Sequence, residues 1–288
     1  MPSLKDIRNR IGSVKNTRQI TRAMKLVAGA KLRRATDAAT AAKPYQETLS
    51  RVLNRVAQAA GDVEHPLLTT PANQSDVLVI VMTSDRGLCG GFNNALCRAA
   101  LSEIDAMIAD GKNVRILAYG RKGRDYFQNR GYTIADATIN LDPDNYADLA
   151  TDLVDHLISE LQEDRFSSVV LAANEYHSVM NQAPRLTTIL PMKVEGEDDA
   201  TSVRTEYDYE PDGQEILAGI LPMALKTQLF QALLEKEAGE QAARMTAMDS
   251  ATRNASELIQ TLTLEYNRAR QAAITKELIE IVSGAEAL

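Results

Sequence analysis

The last 77 residues, Asp212 to Leu288, read as one continuous helix, and no other feature constrains the fold so tightly. Only Pro222 interrupts them, and their glycines are Gly213, Gly219, Gly239 and Gly284. Seventy helical residues at about 1.5 Å each span roughly 100 Å, whereas helices of globular domains run about 8–20 residues. A helix of that length cannot bury itself in a compact core and needs a partner along its side. Asp212 and Glu215 mark its start, and Pro222 predicts a kink in its first turns. Apolar residues recur at Leu217, Ile220, Leu221, Leu225, Leu229, Leu233, Met248, Leu258, Leu262, Tyr266, Ile274, Leu278 and Ile281. Toward the end the residues become small and apolar: Ile281, Val282, Gly284, Ala285, Ala287 and Leu288. Surface helices favour Lys or Arg there, to complement the dipole, so this tip suits either a sheath of apolar walls or a frayed tail.

A second helix opens the chain. Ser3 and Asp6 form a capping-box-like start. Leu4, Ile7, Ile11 and Val14, then Ile20, Met24 and Val27, and later Leu49, Leu53 and Val56 advance mainly by threes and fours. That rhythm predicts a coiled-coil seam running to about residue 60. Pro44 predicts a kink or break near Ala42–Lys43. Gly12 and Gly29 weaken the helix but permit close approach of another. Residues 1–34 carry ten basic side chains against Asp6 alone, while residues 195–215 carry nine acids against Arg204. A basic arm suits nucleic acid, an anionic membrane surface or an acidic protein, or is simply a solvated helix face.

Between these helices the period changes. Asp76–Thr83 is a continuous apolar run, as in a buried parallel strand. A glycine-rich turn, a helix over Asn93–Ala109, a strand at Val114–Gly120 and a short helix through Tyr126 follow. Tyr132–Ala135 reads as a weaker strand, Asp144–Asp164 as an amphipathic helix, and Ser168–Ala173 and Arg185–Met192 as two more strands. Strands alternating with helices at this spacing predict a mostly parallel α/β domain. Helices that enter and leave one inserted domain would pair antiparallel, but the first is too short to cover all of the last. A composition of 44% hydrophobic but only 5% aromatic residues, without tryptophan, suits helix–helix packing.

Signs of chemistry are few. The loop Ser84-Asp85-Arg86-Gly87-Leu88-Cys89-Gly90-Gly91-Phe92-Asn93 joins a strand to a helix, where backbone N–H groups and the helix dipole favour phosphate. Its glycines read G-x-x-G-G and match neither nucleotide-binding fingerprint, so a tight architectural turn competes with a phosphate site. His65, His156 and His177 are isolated from one another and from cysteine, a poor basis for a metal site. Cys89 and Cys97 form neither a C-x-x-C motif nor a disulfide framework, which suggests a reducing compartment. No apolar run approaches 18 residues, so no membrane span is expected, and the basic N-terminus lacks the apolar core of a secretory signal.

Three blocks resemble the gamma subunit of the F-type, proton-translocating ATP synthase in its bacterial form: IRNRIGSVKNTRQITRAMKLVAGAKLRRA, TSDRGLCGGFN and ITKELIEIVSGAEAL. They span the chain in the order helix, α/β domain, helix. The last carries the family signature over Ile274, Thr275, Glu277, Glu280, Gly284 and Ala285. The cysteine-containing regulatory insertion of the chloroplast form is absent, and no transit peptide precedes the helical pattern. The resemblance implies an α/β fold plus a long antiparallel α-helical coiled coil, formed by the N- and C-terminal helices around a central Rossmann-like domain. The expected divisions are 1–60, 75–195 and 210–288. It implies a non-catalytic rotor shaft that couples proton flow through the membrane c-ring to ATP synthesis or hydrolysis in the catalytic head. The implied partners are three alpha and three beta subunits, the epsilon subunit and the c-ring, with no cofactor, metal, nucleic acid or membrane span. The implied location is the cytoplasmic face of the inner membrane. By the same resemblance Met24 and Lys25 face the beta-subunit lever, Arg244, Gln271 and Thr275 grip or pair with that region, and the tip with Glu280 and Ile281 enters an apolar bearing. Apart from the resemblance, the residues also suit a coiled-coil adaptor with an α/β recognition domain, or an α/β enzyme holding a phosphorylated ligand in the 84–93 loop.

Overall fold

The computed structural model describes residues 3–60, 65–69, 75–193 and 213–286. Two helices dominate them, α1 over Leu4–Ala60 and α5 over Gly213–Glu286. Between them lie β1 (Asp76–Met82), α2 (Phe92–Ala109), β2 (Asn113–Tyr119), α3 (Arg121–Gln128), β3 (Ile134–Thr138), α4 (Tyr146–Gln162), β4 (Ser168–Ser178) and β5 (Asn181–Leu190). Contacts gather the chain into two compact units, Met1–Gly29 with Arg244–Leu288, and Ala30–Ala243.

The larger unit holds one five-stranded sheet in the order β3-β2-β1-β4-β5. The first four strands are parallel, and β5 runs antiparallel to β4. β1 is central, pairing Val79 with Ile116 on one side and Val170 on the other. Its continuous apolar sequence follows from having helices on both faces. Leu78, Ile80 and Met82 pack with α4, with Leu217, Leu221, Leu225, Leu229 and Leu233 of α5, and with Leu53 and Val56 of α1. Val77, Val79 and Val81 meet Leu96, Ala100 and Ile104 of α2 and Phe127 of α3 on the opposite face. At the C-terminal ends of β1 and β2 the backbones nearly touch. Gly120 has φ +105°, and a Cβ there would lie 2.3 Å from the Thr83 carbonyl oxygen, so only glycine fits.

This is the expected fold class, with local corrections. β3 begins at Ile134 rather than Tyr132, and β5 begins at Asn181 rather than Arg185 because it forms a hairpin with β4. Pro44 does not end α1. Both Pro44 and Thr40, whose carbonyl loses its helical partner, face solvent, where water can satisfy the freed oxygen. The helix likewise continues through Pro222. α5 has no unbroken run of 18 apolar residues, but by mean hydropathy it includes a stretch long and apolar enough to cross a membrane. Leu217, Leu221, Leu225, Leu229 and Leu233 are instead buried in the protein's own core. Asp212 and the acidic stretch 194–212 lie outside the described residues.

Within the larger unit α1 and α5 pair antiparallel. Gln231 Nε2 donates to the Ala39 carbonyl, and the Tyr45 hydroxyl meets Met223 Sδ. In the smaller unit the pairing is also antiparallel, at Lys25–Asp249 and Thr21–Thr252. The capping box forms as expected: the Asp6 N–H donates to Ser3 Oγ at 3.2 Å, and the Ser3 N–H returns to Asp6 Oδ2 at 3.1 Å. The Ser3 hydroxyl and N–H lower the Asp6 pKa from its ordinary value.

Candidate partner-contact surface

The smaller unit is a two-helix seam built on small side chains. On α1, Ile7, Thr21 and Ala28 are buried; on α5, Met248, Ala255 and Leu262 are buried at steps of seven. A heptad repeat of this kind keeps one face of each helix on the other. The Thr21 and Thr252 hydroxyls meet at 2.8 Å, and a Cβ added at Gly29 would sit 3.4 Å from Met245 Sδ. Gly29 therefore serves close approach as expected, while a Cβ added at Gly12 would meet no other element within 4 Å among the described residues.

The expected seam is misplaced in one stretch. Ile20 and Val27 are 61% and 58% exposed, and Thr21 and Ala28 take the inward positions. Small residues let the helices approach closely, which turns the larger apolar residues outward. Ile20, Met24 and Val27, at i, i+4 and i+7, then form an apolar stripe beside the seam. Leu26 is also exposed, on another side of the helix.

Of the residues expected to touch partners, Met24 and Lys25 are half-buried. Lys25 Nζ donates to Asp249 Oδ1 at 2.5 Å, and Arg253 lies 3.5 Å from the other carboxylate oxygen. The hydrogen bond from Lys25 holds the Asp249 carboxyl below its ordinary value, against the small opposing effect of burial. This contribution is therefore present above the ordinary carboxylate range and lost as pH falls through the lowered value. Arg244 is half-buried, close in sequence to Met248 and Asp249. Gln271 and Thr275 are exposed, and the Thr275 hydroxyl donates to the Gln271 carbonyl at 2.9 Å. Ile281 is 68% exposed, and the Glu280 side chain lies outside the described residues. Met24, Lys25 and Arg244 thus lie along one stretch of paired helices, while Gln271, Thr275 and Ile281 lie near the end of α5.

That end has no helix opposite it among the described residues. The pairs Thr21–Thr252 and Lys25–Asp249 place Leu4, the first residue of α1, opposite about residue 270. α5 continues to Glu286, roughly 24 Å further at 1.5 Å per residue. Ile274, Leu278, Ile279, Ile281 and Val282 are all exposed along this extension. At about 100° per residue they fan over some 160° of the helix, wider than a coiled-coil seam and typical of a helix facing a core. Ile274, Leu278 and Ile281 form the stripe expected from the sequence, with Val282 in the tip, and Ile279, which lies outside that periodic set, widens the stripe into a face.

The 84–93 loop is spent on its own structure. The Ser84 N–H donates to Asn93 Oδ1 at 3.0 Å, and Asn93 Nδ2 donates to Ser84 Oγ at 2.7 Å. Asp85 accepts the N–H groups of Arg121 and Leu141 on its two carboxylate oxygens, at 2.9 and 2.8 Å. Leu88 and Gly90 both have positive φ, so the glycine-rich sequence serves a tight turn. Cys89 and Cys97 are buried thiols, the Cys89 sulfur accepts from Asn93 Nδ2 at 3.2 Å, and burial pushes the Cys97 thiol up to about 12, against a weaker opposing effect of Arg130.

A family model described as ATP synthase matches residues 3–288. The chain is 46% identical over 296 residues to the ATP synthase gamma chain of Dinoroseobacter shibae, and 47% over 293 residues to that of Paracoccus denitrificans, with full coverage of all chains. This chain belongs to the ATP synthase gamma family. Among solved structures, the Euglena gracilis mitochondrial ATP synthase (OSCP/F1/c-ring) contains a chain similar over 99% of this one and 94% of its own length, with TM-score 0.67 and 18% identity. The central stalk/c-ring structure from Tetrahymena thermophila matches 81% of this chain and 99% of its own, with TM-score 0.57 and 20% identity. At such identity these two speak for the fold. Membership in the gamma family makes the chain a subunit of a membrane-associated ATP synthase complex, and it accounts for a helix that outruns its partner.

Proposed function

We propose that this gamma-family chain is the rotating central shaft of an F-type ATP synthase. It couples proton flow through a membrane c-ring to ATP synthesis or hydrolysis in a head of three alpha and three beta subunits. It catalyses nothing itself, and it works on the cytoplasmic face of a bacterial inner membrane, where the epsilon subunit also binds it. The observation that carries this reading is the bare end of α5, a helix with an apolar face of some 160° and, among the described residues, no helix of its own chain to cover it. An apolar face this wide calls for burial, and a ring of subunits around the helix supplies it.

In this reading the tip with Glu280 and Ile281 turns inside an apolar bearing. Met24 and Lys25, with Arg244, Gln271 and Thr275, meet the moving levers of the beta subunits. The apolar stripe of exposed Ile20 and Val27 with half-buried Met24, and the basic side chains of α1, give that surface both apolar area and positive charge. A shaft with different side chains on each face presses the three beta subunits unequally, and each turn carries them through their states in sequence. The division of labour between an α/β domain at 75–195 and helices at 1–60 and 210–288 belongs to the same proposal.

Reconstitution with alpha and beta subunits tests it. ATPase activity should appear only when this chain is present. Full activity without the chain, or a folded chain that ignores both subunits, would sink the reading.

A further inference from the structure

Lys236 is the only lysine or arginine among the described residues that is buried in the core, with 2% of its side chain exposed. It lies in the half of α5 that packs within the larger unit. Its ammonium donates to the Tyr146 hydroxyl oxygen at 3.2 Å and sits 3.3 Å from Glu240 Oε2 and 3.6 Å from Glu237 Oε2. The Tyr146 hydroxyl, at the start of α4, donates to Glu237 Oε2 at 3.0 Å and closes the ring of contacts. Burial alone would push the Lys236 ammonium down, but Glu240, Tyr146 and Glu237 outweigh it and hold its pKa above the ordinary value. The group is therefore charged throughout the physiological range, and its contribution is lost only as pH rises into strong alkali.

Beside this cluster the helix is gripped a second time. A Cβ at Gly239 would lie 2.9 Å from Phe92 Cε2, at the start of α2, and 3.5 Å from Gln182 Cγ on β5. The Phe92 carbonyl in turn accepts from Asn174 Nδ2 of β4. At about 100° per residue, positions 236, 237, 239 and 240 span roughly 160° of the circumference of α5. Elsewhere in this unit α5 meets its neighbours mainly through leucines, from Leu217 to Leu233, with the buried Gln231 bonded to the Ala39 carbonyl of α1. Apolar contact is non-directional, whereas buried polar contacts are best attested as devices that fix register.

The geometry points to Lys236 as a positioning residue for torque. Acting through Tyr146 and Glu237, it fixes the rotational register of α5 within the α/β unit, so that turning that unit turns the shaft without slip. The inference rests on the rotary reading above.

The test uses the whole complex in sealed vesicles, with ATP hydrolysis and ATP-driven proton uptake measured on the same preparation. Lys236→Met leaves two carboxylates near an apolar side chain. Lys236→Met combined with Glu237→Gln removes the ammonium and one of its two carboxylates, leaving Glu240, while the new amide oxygen still accepts the Tyr146 hydroxyl. The double variant should assemble and keep its ATPase, yet move fewer protons per ATP, as expected when a register-fixing contact is removed. Tyr146→Phe should show a smaller loss of the same kind. An unchanged ratio in assembled complexes would overturn the proposal. So would failure of both Lys236 variants to assemble, which would make the cluster a requirement of folding and not of coupling. If the wild-type chain itself supports no ATP-driven uptake, the rotary reading fails first.

Discussion

The two halves of α5 are built from similar residues and live in opposite surroundings. From Leu217 to Ala242 one face of the helix packs against the sheet, α4 and α1, and toward the end of this stretch even Lys236, Glu240 and Gln241 are buried. From Arg244 onward only a narrow seam of Met248, Ala255 and Leu262 is covered, and beyond about residue 270 large apolar residues stand in solvent. The lower half is sheathed by its own chain, so its burial contributes to the stability of this protein. The upper half carries apolar area that none of the described residues covers. Burial of that area is left to whatever surrounds it, which is what a shaft inside a ring of other subunits requires.

Paired substitutions break or sharpen this contrast. Leu225→Ala removes a fully buried side chain and should cost about 2–5 kcal/mol in urea unfolding of the isolated chain. The same change at exposed Leu278 should stay within about 0.5 kcal/mol. Equal losses at the two positions would erase the distinction. Gly239→Leu drives a side chain into Phe92 and should cost about 1–3 kcal/mol by overpacking, again in the isolated chain. Ile281→Asp should leave that stability within about 0.5 kcal/mol, but it buries an unpaired charge once the tip is sheathed. Reconstituted ATP-driven proton pumping should therefore fall in this variant while trimming the last few residues harms it only partly; normal pumping would argue against a dry bearing. Lys25→Met should have the smallest effect on stability, because the pair with Asp249 is only half-buried and open to solvent. Its signature is electrostatic: the Asp249 pKa should rise toward the ordinary carboxylate value, followed by NMR titration, and an unmoved value would mean that Lys25 is not what lowers it.

The large pattern was legible because burial leaves a period in the sequence. β1 announced itself as an unbroken apolar run, and α5 by its length and lack of breakers. The seam of the smaller unit was harder, since close helix contact is made by Thr21 and Ala28 while Ile20 and Val27 point away. Hydrophobicity ranks these residues in the wrong order; size is the signal. Lys236 was invisible for a different reason. A charged residue in a helix reads as solvated, and its phase is the only hint: Leu225, Leu229, Leu233, Lys236 and Glu240 continue one buried stripe in steps of three and four. Which residues of the upper half meet which partner is not encoded in this chain's own packing. Met24, Lys25 and Arg244 fall together by the helix register, but Gln271, Thr275 and Ile281 have no such companions from α1 among the described residues.

Hydrogen exchange along α5, measured on the isolated chain and on the chain assembled with alpha and beta subunits, tests the central claim most directly. Amides of residues 217–242 should be protected in both, because their cover is internal. Those of residues 274–286 should exchange rapidly in the isolated chain and become protected on assembly. Rapid exchange of that tip in the assembled complex would contradict a shaft whose missing core is supplied by its partners.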